Sequence, residues 1–161
     1  HYVLGNNSID EAIRHLQSND FPDGINAVVF LLHKPVGFGA ESNVLQDDSR
    51  VEKFFKLVDS KSRPFKLGFA SCSIPGLLHF CGNIAGESVD TCEGGRWSAY
   101  ITPDMRMLPC SFDNKAMRWA VDLGNHSIQE AWDSPQFENF RNHFRTACPD
   151  CGRRPGPTSP W

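Results

Sequence analysis

The sequence predicts an α/β fold of three successive βα units, followed by a small α+β domain built around cysteines. Three observations predict it. From residue 1 to residue 81, short apolar runs alternate with stretches of helical periodicity, the pattern of parallel βα units. Near Gly86 that alternation gives way to a hairpin signal followed by helices. Cys92, Cys110, Cys148 and Cys151 all fall in this C-terminal part, the last two as a C-x-x-C.

Each element has a local reason. Residues 1–4 are a short apolar start, read as the end of a strand. Ser8 and Glu11 have capping-box spacing, and Ile9, Ala12, Ile13 and Leu16 follow at helical spacing. Asn19 to Gly24 holds Pro22 and Gly24 and reads as a loop. Ala27 to Leu32 is continuously apolar and rich in β-formers. It is too short for a buried helix and is expected to be a strand covered on both faces. A Gly-containing loop runs from Lys34 to Gly39. A helix starts near Asp48 or Ser49, with Val51, Phe54, Phe55 and Val58 on one face. Phe65 to Ala70 is the third strand, and Pro75 opens a short helix over Leu77, Leu78 and Phe80.

In the second part, Trp97 to Ile101 alternates as a half-buried strand. Thr102-Pro103-Asp104-Met105 fits a turn with Pro at its second position, and Met105 to Leu108 returns. Ser127 and Glu130 form a second capping box. Ser134-Pro135 starts a helix whose Phe137, Phe140 and Phe144 face a core. Arg141 and Arg145 are expected on its solvent face. The tail from Gly152 is rich in Pro and Gly and reads as loose. The expected division is 1–85 for the βα units, 86–152 for the cysteine domain and 153–161 for the tail.

Composition limits the function. The 161 residues are 40% hydrophobic and 22% charged, with a net charge of -3 and no basic stripe. This argues against a nucleic-acid partner. No apolar run approaches the ~18 residues of a membrane span, so no membrane partner is expected. The first residues do not read as a signal peptide, and a cytoplasmic location is expected. The chain begins at His1 rather than Met and is expected to be a fragment.

Six cysteines could make three disulfides, but a C-x-x-C without a secretory signal favours a metal. Cys92 and Cys110 bracket the hairpin, so their thiols can meet at its base. The C-x-x-C supplies a second pair of sulfurs on one side of a turn. Thiolates suit zinc or an iron–sulfur centre. Cys72 and Cys81 are read as packing residues outside that site, with a substrate-facing role open for Cys72. His33 and Lys34 follow the second strand, where α/β barrels place reactive groups, and Asn6 and Asn7 follow the first strand, just before a helix. A solvated loop start for the former and turn chemistry for the latter are the competing readings. His15, His79, His126 and His143 read as structural or exposed.

The order Cys92-Glu93-Gly94-Gly95, Tyr100 to Asp104, Leu108-Pro109-Cys110-Ser111-Phe112, Ala131-Trp132-Asp133-Ser134-Pro135, Phe137, Phe140-Arg141 and Cys148-Pro149-Asp150-Cys151 carries a resemblance. It resembles the auxiliary-cluster extension of radical SAM enzymes, the SPASM/twitch domain. The resemblance implies that residues 1–85 are the C-terminal half of a partial TIM-type (βα)6 barrel. It implies an auxiliary [4Fe–4S] cluster on Cys92, Cys110, Cys148 and Cys151, and S-adenosylmethionine in the intact parent. Asn6, Asn7 and His33 would then stand on the S-adenosylmethionine side. The implied activity is oxidation of a small molecule or modification of a peptide or protein side chain. The sequence departs from the family in two ways. The C-x-x-x-C-x-x-C motif of the S-adenosylmethionine-cleaving cluster is absent, so the isolated chain is not expected to be catalytically competent. No cysteine follows Cys151, which resembles the one-cluster twitch form. A severed half-barrel is expected to dimerise or swap through its open sheet edges. A four-cysteine zinc module with a structural or interaction role is the alternative, and a disulfide-bonded secreted domain is a third reading.

Overall fold

The computed structural model describes residues 1–46, 48–60, 62–83, 92–113 and 117–143. The first part is a parallel sheet of β1 (Tyr2–Leu4), β2 (Ala27–Leu32) and β3 (Lys66–Phe69) in the order β1-β2-β3. Tyr2 pairs with Phe30 and Phe30 with Phe69, so these side chains share one face. The connections are helical: α1 (Ile9–Ser18) joins β1 to β2 and α2 (Ser49–Ser60) joins β2 to β3, while α3 (Ile74–Phe80) follows β3.

The helices form where the apolar spacing placed them. Ile9, Ala12, Ile13 and Leu16 of α1 are all buried, as are Val51, Phe54 and Phe55 of α2. They join Leu4, Val28, Phe30, Leu32, Leu77 and Cys81 in one core. Phe30 and Phe54 meet edge to face at 5.0 Å between centroids, the geometry aromatic quadrupoles favour.

Two local expectations are corrected. Ser8 precedes α1 but does not cap it. Its hydroxyl donates instead to the Val3 carbonyl at 2.7 Å and accepts from the Gly5 N–H, which closes the turn after β1. Glu11 accepts from the Tyr2 hydroxyl at 2.8 Å. The strand β2 is also not equally covered on its two faces. Val28, Phe30 and Leu32 are buried under the helices, whereas Val29 and Leu31 are half-buried and the neighbouring Val3 is 51% exposed. The helices supply one layer, so among the described residues the second face is left partly open.

The second part is an antiparallel sheet of β4 (Tyr100–Ile101), β5 (Arg106–Leu108) and β6 (Val121–Asp122), followed by α4 (Ile128–Trp132) and α5 (Pro135–His143). The expected hairpin is present, and Met105 N–H closes its turn onto the Thr102 carbonyl at 3.0 Å. The strand expected from Trp97 begins only at Tyr100. Residues 93–98 form a turn instead, in which Arg96, Trp97 and Ser98 all donate backbone N–H groups to the Glu93 carbonyl. Trp97 is consequently 84% exposed. The third strand, β6, is too short to show a period in sequence. The capping box at Ser127 and Glu130 forms with both reciprocal hydrogen bonds, at 2.7 and 3.2 Å. Phe137 and Phe140 are completely buried, and Phe144 lies outside the described residues.

Candidate metal centre

Cys92 and Cys110 stand at the two ends of the segment that contains the hairpin, and both are partly buried free thiols. The chain brings their surroundings together through glycines. Gly95 has a φ of +63°, a conformation that suits a residue without Cβ. A Cβ on Gly94 would stand 2.9 Å from the Pro109 carbonyl oxygen and 3.5 Å from both Cys92 Sγ and Phe140. The loop after Cys92 thus lies against the residue preceding Cys110. Gly94→Ala is expected to destabilise the domain by about 1–3 kcal/mol, because the clash is with backbone rather than a flexible side chain. Thermal unfolding of the two purified chains would check this, and an unchanged midpoint would refute the close approach.

Aromatic rings back the two cysteines. Phe140 and Trp119 pack edge to face, with Cys110 against them. The backbone N–H of Phe112 donates to Cys110 Sγ at 3.5 Å. Burial pushes the Cys110 thiol up to about 11, the neighbouring Cys72 and Cys92 add to the rise, and the Phe112 N–H and Lys34 oppose it. The pocket therefore favours a protonated thiol until a cation takes the proton's place. Asp113, buried in the turn after Cys110, accepts from the backbone N–H of Trp119 at 3.2 Å and ties down the backbone of the residue whose ring packs with Cys110.

Arg141 is not on the solvent face as expected. It is half-buried, donates through Nε to the Gly95 carbonyl at 2.6 Å, and reaches the Trp132 carbonyl through Nη2. Its guanidinium lies 5.0 Å from the Trp132 ring. Arg96 returns the clamp, donating to the Arg141 carbonyl at 2.7 Å. Both arginines tie the loop after Cys92 to α5. Their periodicity gave no sign of this, because the acceptors are backbone carbonyls distant in sequence.

The parallel sheet meets the cysteine domain at its C-terminal edge. Lys34 follows β2, and Cys72 lies beyond the end of β3. Lys34 Nζ is shut off from solvent and stands 5.3 Å over the Phe112 ring. No carboxylate pairs with it among the described residues, and the Cys72 thiol is its hydrogen-bonding neighbour. Burial lowers its pKa, while Cys72, closest in effect, and then Cys110 and Cys92 favour its charged form. Cys72, expected to be a packing residue, thus has a second environment besides the core it borders. Cys81 fits the packing expectation: it is buried and its thiol donates to the Phe55 carbonyl at 3.5 Å.

The other residues proposed from sequence hydrogen-bond to neighbouring segments. Asn6 Oδ1 accepts from Arg50 Nη2 at 2.6 Å, and Asn7 N–H donates to Asn43 Oδ1 at 2.8 Å. His33 Nε2 lies 3.0 Å from the Ala40 carbonyl. Cys148, Cys151 and Arg145 lie outside the described residues. Among the described residues no three Cys, His, Asp or Glu side chains close into a ligand sphere. A shallow depression of 400 Å³ on α2 is lined by Ser49, Glu52, Lys53, Lys56 and Leu57, none of which belongs to this centre.

The donor set at Cys92 and Cys110 fits a soft, anionic metal centre. The thiols are soft ligands, the Phe112 N–H points at a sulfur, and a buried ammonium beside them lacks a carboxylate partner. Comparison with known proteins points the same way. Residues 92–152 match the SPASM family, described as an iron-sulfur cluster-binding domain. No curated protein and no solved structure matches the chain. Among the described residues, no helix is long and apolar enough to cross a membrane.

Proposed function

We propose that the chain is part of a radical SAM enzyme and that its C-terminal domain holds an auxiliary [4Fe–4S] cluster on Cys92, Cys110, Cys148 and Cys151. The observation that carries this reading is the placement of Cys92 and Cys110. They lie within the segment matching an iron–sulfur domain, against the C-terminal edge of a parallel βα sheet. That edge is where barrels of βα units keep their active sites. The consecutive strand order β1-β2-β3, with helices packed on a single face, is what half of a partial (βα)6 barrel would present. The half-open face around Val3, Val29 and Leu31 is where the remaining units, or a second copy of this chain, would pack.

When bound, such a cluster supplies a one-electron acceptor for a substrate radical or an anchoring point for substrate. The residues present have their own tasks. The Phe112 N–H would stabilise the sulfur of Cys110 as thiolate. Phe140 and Trp119 keep water from it, and Arg141 and Arg96 fix the loop that carries Cys92. The substrate class is a small molecule or a peptide or protein side chain, oxidised or modified with S-adenosylmethionine bound in the intact parent. This sequence holds no C-x-x-x-C-x-x-C, so alone it supplies no ligands for the cluster that cleaves S-adenosylmethionine.

Anaerobic reconstitution of the full chain with iron and sulfide tests the reading. The expected product is brown, absorbs broadly near ~400 nm and holds about four iron atoms. With S-adenosylmethionine and reductant it should yield no 5′-deoxyadenosine. A colourless chain that purifies with stoichiometric zinc and takes up no iron would replace this reading with the zinc module.

A further inference from the structure

We propose that Lys34 is the compensating charge for the anionic centre built on Cys92 and Cys110, and that it couples that centre to the edge of the parallel sheet. This rests on the iron–sulfur reading above. The ammonium of Lys34 is buried, and among the described residues no carboxylate pairs with it; its hydrogen-bonding neighbour is the Cys72 thiol. A buried lysine left in that condition is expensive, and folded proteins pair or neutralise such a group. The Phe112 ring, 5.3 Å away, offers an electrostatic surface but not a counter-charge. Phe112 is also the residue whose N–H reaches Cys110 Sγ. The ammonium and the N–H therefore lie in the same sulfur neighbourhood, with Phe112 common to both.

Thiolates are the groups nearby that could be negative. Cys72, Cys110 and Cys92 all favour the charged form of Lys34. Four thiolates around an iron–sulfur core leave a net negative charge, which grows by one unit on reduction. A fixed cation beside it stabilises the reduced state more than the oxidised one. Charge and hydrogen bonding near the sulfurs are recognised determinants of cluster potential. Lys34 thus acts as a positioning and tuning residue rather than a ligand. It stands on the strand-end loop of β2, so a change at the edge of the sheet would reach the centre through it.

The test is a redox titration of the reconstituted full chain with dithionite, followed by visible absorption and electron paramagnetic resonance. Lys34→Met is expected to lower the potential. At a fixed ambient potential the reduced-to-oxidised ratio should fall at least tenfold, about 59 mV for a one-electron couple. Lys34→Arg, which keeps the charge, should recover most of that shift. Iron content and circular dichroism of each variant establish that it is folded and loaded. If Lys34→Met is folded but takes up no iron while Lys34→Arg loads normally, the charge requirement is upheld at the incorporation step. Equal potentials for wild type and Lys34→Met overturn the proposal and leave the iron–sulfur reading standing. Equal shifts in both variants, or failure of both to load, mark Lys34 as a packing residue. A wild-type chain that takes up no iron removes both readings together.

Discussion

Cys110→Ala, and separately Cys92→Ala, should abolish stable iron–sulfur incorporation, dropping iron from about four atoms per chain to below about one. The effect is expected to be this large because a four-thiolate site has no spare ligand and a missing sulfur opens the centre to water. Cys81→Ala is the internal control. Its thiol belongs to the core under the parallel sheet and donates to the Phe55 carbonyl. Losing it should cost about 1 kcal/mol of stability and leave iron uptake intact. Cys72→Ala is the sharper comparison. Cys72 lies in the electrostatic neighbourhood of Cys110 and Lys34, so it competes with the four cysteines for a place in the ligand set. If the set is Cys92, Cys110, Cys148 and Cys151, Cys72→Ala retains its iron. Retention by Cys92→Ala and loss by Cys72→Ala would show that the ligands had been misassigned.

The elements that were legible in sequence are those with a period long enough to read. The α1 face of Ile9, Ala12, Ile13 and Leu16 is buried as its spacing implied. The Ser127 capping box forms, with the Ser127 and Glu130 side chains hydrogen-bonding within the motif. At Ser8 the same spacing failed, since the hydroxyl found the Val3 carbonyl and the Gly5 N–H within its own turn. The continuous apolar run of β2 suggested cover on both faces. Hydrophobicity records what a strand wants covered, however, not which layers are present. At the site, Cys92 and Cys110 stood out in sequence by residue type and by their places at the two ends of the hairpin segment. Lys34 was visible only as a residue after a strand, because its burial depends on the cysteine domain docking over it. Arg141 and Asp113 left no signal, since each works through backbone groups brought close by the fold.

Phe140→Ala should be the most damaging single change in the cysteine domain, costing about 3–5 kcal/mol. The ring is completely buried and meets Trp119 edge to face at 6.1 Å. It also lies where a Cβ on Gly94 or Gly95 would touch it, at 3.5 and 3.1 Å. It therefore supports the loop after Cys92 and packs, with Trp119, against Cys110. Truncation leaves a cavity that these backbone segments cannot easily fill, because Arg141 and Arg96 pin the loop in place. A loss of this size is a large share of the ~5–15 kcal/mol that stabilises a typical domain. Phe140→Leu, which keeps much of the volume, should lose less. Phe38→Ala, at a fully exposed position, should stay within about 0.5 kcal/mol of wild type. Urea unfolding of the metal-free chain would rank the three. The reconstituted Phe140→Ala chain should also release iron to a chelator faster than wild type, because the loop carrying Cys92 then loses the ring that supports it. Wild-type unfolding midpoints and release rates for Phe140→Ala would show that the ring fills space without positioning either cysteine.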